Sequence, residues 1–171
     1  MDASPSVSLR PMGAEDLAAV SELGIRSKAS WAYSPDELAI FSAELSIDER
    51  CLGQLMAAQV AEAEHRELVG YFTLRRHPGG EVELEHLFVE PSWFGRGVGS
   101  ALFEAALHSA ATGGASALKI VSDPNAAEFY LKLGAREVAK HRSSIAGREI
   151  PVLETATRLG KSEQPSPSPP T

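Results

Sequence analysis

A chain of 171 residues with 43% hydrophobic and 23% charged side chains suits one domain that buries roughly 70% of the surface its unfolded form exposes. A formal net charge of −7 and a pI of about 5.2 argue against a nucleic-acid surface. Cys51 is the one cysteine, so an internal disulfide and a cysteine-paired metal are excluded. No run of about 20 apolar residues and no charged-then-apolar leader is visible, and the cytoplasm is the expected compartment.

In chain order, Val7, Leu9 and Arg10-Pro11 predict a brief first strand ended by the proline. Ala14 to Ser27 predicts a helix with Leu17, Val20 and Leu23 on one face and Glu15 and Asp16 in its first turn. Lys28 to Tyr33 joins this helix to the next and leaves two aromatics, Trp31 and Tyr33, in a connection where burial is optional. Ser34-Pro35-Asp36-Glu37 is a helix start, with Ser34 as N-cap, proline at the first position and Glu37 completing a capping box; the helix runs to about Leu45. Leu52 to Val60 reads as a strand, which makes Cys51 a buried or half-buried strand residue. The polar turn Glu62 to Glu67 then folds the β-rich run Leu68 to Leu74 back on it as a hairpin. His77-Pro78-Gly79-Gly80 turns the chain again and sets Glu81 to Val89 antiparallel to its predecessor.

Glu90-Pro91 stops that strand, and the chemistry of the chain begins there. Gly95, Gly97 and Gly99 alternate with Arg96 and Val98, and Ala101, Leu102, Ala105 and Ala106 continue as a helical face to about Ala111, so a helix starts inside the glycines. Its first N–H groups lack intrahelical partners, and glycines admit an anion close to them, each favourable charge contributing roughly 0.3–1 kcal/mol. A phosphate or pyrophosphate is the natural ligand; a glycine-rich capping turn is the bland alternative. Thr112-Gly113-Gly114 ends the helix and Ala117 to Val121 returns as a short buried strand, making a βαβ unit with a right-handed crossover. Asp123-Pro124 opens a further helix, Ala126 to Leu133, stopped by Gly134. Two final strands follow, Arg136 to His141 and Pro151 to Thr157, joined by a polar loop from Arg142 to Arg148 whose basic residues are expected to be solvated. Residues 1–160 are read as one domain and residues 161–171, rich in proline and serine, as a disordered tail.

Three phosphate-binding templates compete for the glycine stretch. A Walker loop needs Gly-Lys-Ser/Thr, which is missing. A dinucleotide fingerprint begins with Gly95-Arg96-Gly97 and finds Asp123 at the ribose distance, but Ser100 stands where its last glycine belongs and too little chain follows for a doubly wound sheet. The third template covers the whole stretch: a strand, Val89-x-Pro91, then Arg96-Gly97-Val98-Gly99 opening a helix resembles motif A of the GNAT (Gcn5-related) N-acetyltransferases, whose turn binds the pyrophosphate of acetyl coenzyme A. Asn125-Ala126-x-x-Phe129-Tyr130-x-x-x-Gly134 resembles motif B of the same family. Arg10-Pro11 ahead of Asp16, and Val69-Gly70-Tyr71 as a third strand, agree with it. Two positions depart: Phe94 stands where the family carries Arg or Gln, and Asp123 where it carries the asparagine that meets the pantetheine arm, with Asn125 two residues later.

The resemblance, to a small bacterial-type member, implies an α/β (α+β) GNAT fold. Its central sheet would be mixed and mostly antiparallel, with about seven strands, about four flanking helices, and a splay between strands 4 and 5. It implies acetyl-CoA as the cofactor, bound by Leu87, Phe88, Val89, Phe94, Gly95, Arg96, Gly97, Val98, Gly99, Ser100, Asp123, Asn125, Phe129 and Tyr130. The acceptor is a small-molecule amine or a peptide N-terminus, met by Trp31 and Tyr33, with no nucleic acid or membrane partner and a homodimer compatible with the family. A non-catalytic acyl-CoA-binding or sensor module on the same fold is the alternative.

Acyl transfer to an amine needs a neutral nucleophile, a donor for the carbonyl oxygen and a proton for the departing sulfur. Tyr130 occupies the family's general-acid position, and its ordinary pKa near 10 keeps it protonated. A backbone N–H near Leu87 to Val89 is implied for the carbonyl oxygen. Glu83 and Glu85 share one strand face by period two, while His86 faces the other way unless a bulge intervenes. Glu85 is the first choice as base, its alternative role being a cross-strand partner for Arg75 or Arg76; His86 and His141 are the other candidates.

Overall fold

The computed structural model describes residues 6–145 and 147–157; the tail expected from residue 161 lies outside them. Seven strands form one sheet in the order β1-β2-β3-β4-β5-β7-β6. They are β1 Ser8–Pro11, β2 Ala57–Glu62, β3 Leu68–Arg76, β4 Val82–Val89, β5 Ala117–Val121, β6 Arg136–Arg142 and β7 Glu149–Ala156. Every pairing is antiparallel except β4 with β5, so the sheet is mixed and mostly antiparallel as expected. The helices are α1 Leu17–Ala29, α2 Pro35–Leu45, α3 Glu49–Gln54, α4 Val98–Thr112 and α5 Ala127–Lys132. Among the described residues no helix is long and apolar enough to cross a membrane.

The sheet is covered on both faces, which is why β3 reads as an almost continuous apolar run. On one face α4 packs Leu102, Phe103, Ala106 and Leu107 against Phe72, Leu74, Leu84 and Leu118. Ala101, expected on that face, is exposed; the true stripe runs Val98, Leu102, Ala106 and Ala110 with Phe103 and Leu107 beside it. On the other face α1 packs Val20 and Leu23 against Val60 and Tyr71. Gly24 permits that approach, since a Cβ there would lie 2.6 Å from the Tyr71 hydroxyl oxygen. The capping box at the start of α2 is formed as expected, with Glu37 N donating to Ser34 Oγ at 3.2 Å and Ser34 N to Glu37 Oε2 at 2.8 Å.

The strand expected over Leu52–Val60 is corrected. The Asp48 carboxylate accepts from Cys51 N at 2.7 Å and caps α3, so Leu52 and Gln54 complete a helical turn and Cys51 is a half-buried helical residue, not a strand residue. The strand starts five residues late, at Ala57, where its pairing with β3 begins at Ala57↔Leu74; β1 joins only along Gln59 to Glu62. Local helix capping and a non-local partner outweigh the apolar pattern of the segment.

A second departure shapes the site. In β4, His86 pairs with Thr73 but Leu84 pairs with Leu74, so Glu85 is an extra residue on its strand. This is a β-bulge, and it breaks the expected alternation: Glu83, Glu85 and His86 all look out on the α1/α2 side of the sheet. The parallel ladder to β5 is confined to Glu83↔Lys119 and Leu84↔Ile120. Beyond that level the two strands part, which is the expected splay.

Candidate active site

Two clefts flank the splay. The first, of about 480 Å³, lies over the glycine turn and is lined by Trp93, Phe94, Gly95, Gly97, Val98, Gly99 and Ser100, by Leu87 and Val89 of β4, and by Asn125, Ala126, Phe129 and Tyr130. Ser27 and Trp31 close its far side. Gly95 and Gly97 hold φ of +75° and +82°, left-handed values that a side chain resists. They turn the chain so that α4 starts with Ala101 N donating to Gly97 O at 3.1 Å, leaving the N–H groups of Val98, Gly99 and Ser100 without intrahelical acceptors. No acidic residue occupies the first turn of this 15-residue helix, so the positive end of its dipole is uncompensated by the chain itself. Backbone donors at one end and an apolar, aromatic trench at the other fit a ligand with a phosphate group and an uncharged arm.

Of the residues expected there, Arg96 stacks its guanidinium 4.9 Å from the centre of the Trp93 ring, outside the lining. Phe88 faces the second cleft and packs 5.9 Å from Tyr71. Trp93 was not anticipated; its signal was its place two residues after Pro91, in the one-turn helix Pro91–Trp93 that leads into the glycines.

The second cleft, of about 350 Å³, lies on the α1/α2 face. Its floor is Glu83, Glu85 and His86 of β4, its walls are Lys28, Trp31, Phe41 and Glu44 on one side and Ile120 to Asp123 on the other, and its roof is His141 and Arg142 at the end of β6 with Arg148 of the β6–β7 connection. Trp31, Leu87, Ala126 and Tyr130 line both clefts, so the two meet at the splay. Tyr130 is held there by Phe103, at 5.5 Å between ring centres, and Phe129, at 5.1 Å. Burial pushes its phenol well above the ordinary pKa, so it is protonated throughout the neutral range.

Backbone polarity at the splay follows from the ladder. Glu90 N donates to Val69 O at 2.9 Å, so at period two Phe88 also turns its N–H toward β3, and Leu87 and Val89 turn theirs away. Past Leu84 no β5 residue pairs with this edge. The sequence could not reveal these two open donors.

The titratable residues of the floor are partnered. Arg75 Nε lies 2.8 Å from Glu85 Oε1, the cross-strand pairing foreseen for this glutamate. His77 Nε2 lies 2.6 Å from Glu83 Oε2. His86 Nδ1 is 2.9 Å from Thr73 Oγ1; burial lowers its pKa, with the Glu85 charge pulling the other way, so the imidazole is neutral at pH 7. Asp123, at the end of β5, accepts from Tyr33 Oη at 2.6 Å and from Asn125 N and Nδ2 at 2.9 Å each, and lies 3.2 Å from Lys28 Nζ. Arg148 completes the group, donating to Tyr33 Oη and lying 3.6 Å from Asp123 Oδ1. Tyr33 thus stands behind the cleft wall, with its ring edge-on to Phe41 at 4.9 Å, while Trp31 faces both clefts. Arg148 corrects the expectation of solvated loop cations: its side chain is 23% exposed. Lys28, Glu44 and Arg148 are cleft residues that sequence reasoning missed, because nothing local distinguishes them from solvated charges.

The family profile described as an acetyltransferase (GNAT) domain matches residues 31–147. A GCN5-related N-acetyltransferase from Rhodopseudomonas palustris superposes with a TM-score of 0.73 at 24% identity, covering 90% of this chain and 96% of that one. The PaiA N-acetyltransferase of Thermoplasma acidophilum, solved in complex with coenzyme A, gives 0.71 at 20% identity, covering 88% and 99%. The ribosomal-protein-S18-alanine N-acetyltransferase of Escherichia coli gives 0.65 at 17% identity, covering 93% and 99%. No curated relative matches by sequence.

Proposed function

The chain belongs to the GNAT acetyltransferases, and on that premise we propose that it moves an acetyl group from acetyl-CoA to a primary amine of a small molecule or peptide by direct attack in a ternary complex. The observation that carries this reading is the meeting of the two clefts at Leu87 and Tyr130: a cofactor and an acceptor enter from opposite faces of the sheet and face each other across the splay.

The first cleft suits coenzyme A. Its pyrophosphate has the free N–H groups at the start of α4, made approachable by Gly95, Gly97 and Gly99, and its uncharged arm has the trench of Val89, Trp93 and Phe129. Phe94 and Asn125 flank that trench. Bound acetyl-CoA would supply the thioester, an acyl group already activated for attack by nitrogen.

The chain's own groups do the rest. The open N–H groups of Leu87 and Val89 donate to the carbonyl oxygen as it gains charge, without needing to reorganise. Tyr130 Oη, protonated and buried at the junction, donates to the departing sulfur. His86 and Glu85 receive the proton that the amine must shed. The imidazole is neutral, with Nδ1 at Thr73 Oγ1, and the Glu85 charge, partly offset by its pairing with Arg75, favours the imidazolium that results. Trp31 lines the acceptor path, and Tyr33 holds the wall behind it.

Isothermal titration calorimetry with acetyl-CoA, followed by a thiol-release assay over a broad panel of amines, tests the proposal. Binding with turnover is expected. Binding with no turnover for any amine would instead assign a non-catalytic acyl-CoA-binding module, and no binding at millimolar cofactor would remove the proposal altogether.

A further inference from the structure

The second cleft separates its charges. At the closed end of the splay, Glu83 and Glu85 rise from the floor and Glu44 reaches in from α2. Arg75 neutralises Glu85, whereas Glu83 is partnered by a histidine and Glu44 has no ion-pair partner among the described residues. At the open end the balance reverses: Lys28, Arg142 and Arg148 face one carboxylate, Asp123. That carboxylate is already engaged by Tyr33 and Asn125, so the cations outnumber what it can satisfy.

Arg148 is built to use the surplus. Its backbone is held, with Arg148 N donating to Ile145 O at 3.2 Å and its carbonyl accepting from Ser143 N at 2.8 Å. Only Nη2 is engaged, by Tyr33 Oη and at 3.6 Å by Asp123; Nε and Nη1 have no hydrogen-bond partner among the described residues. The Tyr33 ring, 4.9 Å from the guanidinium carbon, supports it from behind. A fixed guanidinium at the lip of a cleft, with Nη2 engaged and Nη1 free, is suited to hold a carboxylate by a charge-assisted hydrogen bond from Nη1.

Resting on the acetyltransferase reading, we infer that the acceptor is a small amino-carboxylate, its ammonium drawn to the acidic floor and its carboxylate held by Arg148 at the opposite end. A volume of about 350 Å³ is at the small end of the ~300–1,000 Å³ that ligand pockets enclose, which suits a metabolite of this kind. A polyamine would place its second ammonium against Lys28 and Arg148, and a peptide N-terminus would offer a neutral amide there.

The test is acetylation kinetics on matched pairs: L-alanine against ethylamine, L-lysine against cadaverine, L-phenylalanine against phenethylamine and γ-aminobutyrate against propylamine. A charge-assisted contact predicts kcat/KM higher for the carboxylate member of at least one pair by about 10- to 100-fold. Arg148→Ala should collapse that ratio to near one by raising KM, and Arg148→Lys should restore part of it. Calorimetric acetyl-CoA binding by each variant checks that the fold survives. Equal or better turnover of the decarboxylated amines, or an equal effect of Arg148→Ala on both members of every pair, overturns the inference and leaves the proposed function standing. Failure of both series together overturns the inference, and absence of acetyl-CoA binding removes the function it rests on.

Discussion

The two clefts that meet at Tyr130 are made in opposite ways. The cleft over the glycine turn comes from two short stretches, residues 87–100 and 125–130 with α1 closing one side, and it presents backbone N–H groups and apolar rings. The second draws on α1, α2, β4, the end of β5 and the β6–β7 connection, and it presents charged side chains held by one another. Backbone donors serve any ligand with a phosphate, so a turn of this kind can be kept while the other side varies. On the proposed function, a cleft made of side chains from five separate elements is where one acceptor would be told from another.

The junction between the clefts should give the largest effect. Tyr130→Phe is expected to lower kcat by about 10- to 1000-fold with coenzyme affinity nearly intact, as for loss of an acid that acts in the transition state; an unchanged rate in steady-state kinetics would reduce Tyr130 to a packing residue. Next is the second cleft. Asp123→Asn leaves Lys28 and Arg148 facing each other without their counter-charge, and equilibrium denaturation should show a loss of about 3–5 kcal/mol. Burial opposes the Asp123 charge, but the hydrogen bonds from Tyr33 and Asn125 and the Lys28 charge outweigh it and hold the pKa below its ordinary value. The stability it contributes is therefore present above the unfolded value of about 3.9 and lost as pH falls through the lower folded value. The variant should flatten that acid limb, leaving the part due to Asp16, whose pKa is held down by its hydrogen bond from Arg10.

The glycine-side cleft can be separated from its own helix. Ser100→Glu puts a carboxylate in the first turn of α4, which favours the helix by about 0.3–1 kcal/mol yet repels an anionic ligand. Thermal melting should hold or rise while coenzyme affinity by calorimetry falls about tenfold, taking a desolvated like-charge contact as roughly 1.4 kcal/mol. A parallel fall in both would mean that the phosphate does not sit at this helix end. The smallest effect is expected from Ser34→Ala, which removes the α2 cap for about 1 kcal/mol. Since α2 contributes Phe41 and Glu44 to the second cleft and nothing to the first, any kinetic change should fall on the acceptor KM and not on coenzyme binding.

Legibility in the sequence followed the same division. Gly95, Gly97 and Gly99 before an apolar helix announce the turn that opens α4 because the turn is made by the residues that encode it, and the start of α2 was readable for the same reason. The order β-α-β across residues 82–121 and the hairpin before it also followed from period and turn chemistry. Leu52–Val60 misled, since an apolar run of that length fits either element until a capping aspartate and the reach of the β3 pairing decide between them.

What the sequence by itself determined about this protein is the glycine turn that opens α4, its family resemblance and the residue types available for proton transfer, all set by neighbours within a few positions. What only the tertiary structure decided is how they are aimed. The Glu85 bulge is a register shift between β3 and β4 at Thr73/Leu74, and it alone brings His86 to the face that Glu83 and Glu85 share. The Leu87 and Val89 N–H groups are open because β5 leaves the ladder after Ile120. Arg148, 25 residues from Asp123 and 115 from Tyr33 in the chain, becomes a cleft residue only because the β6–β7 turn folds back over the splay. Register, strand divergence and charge pairing are relations between distant segments, and no local pattern records them.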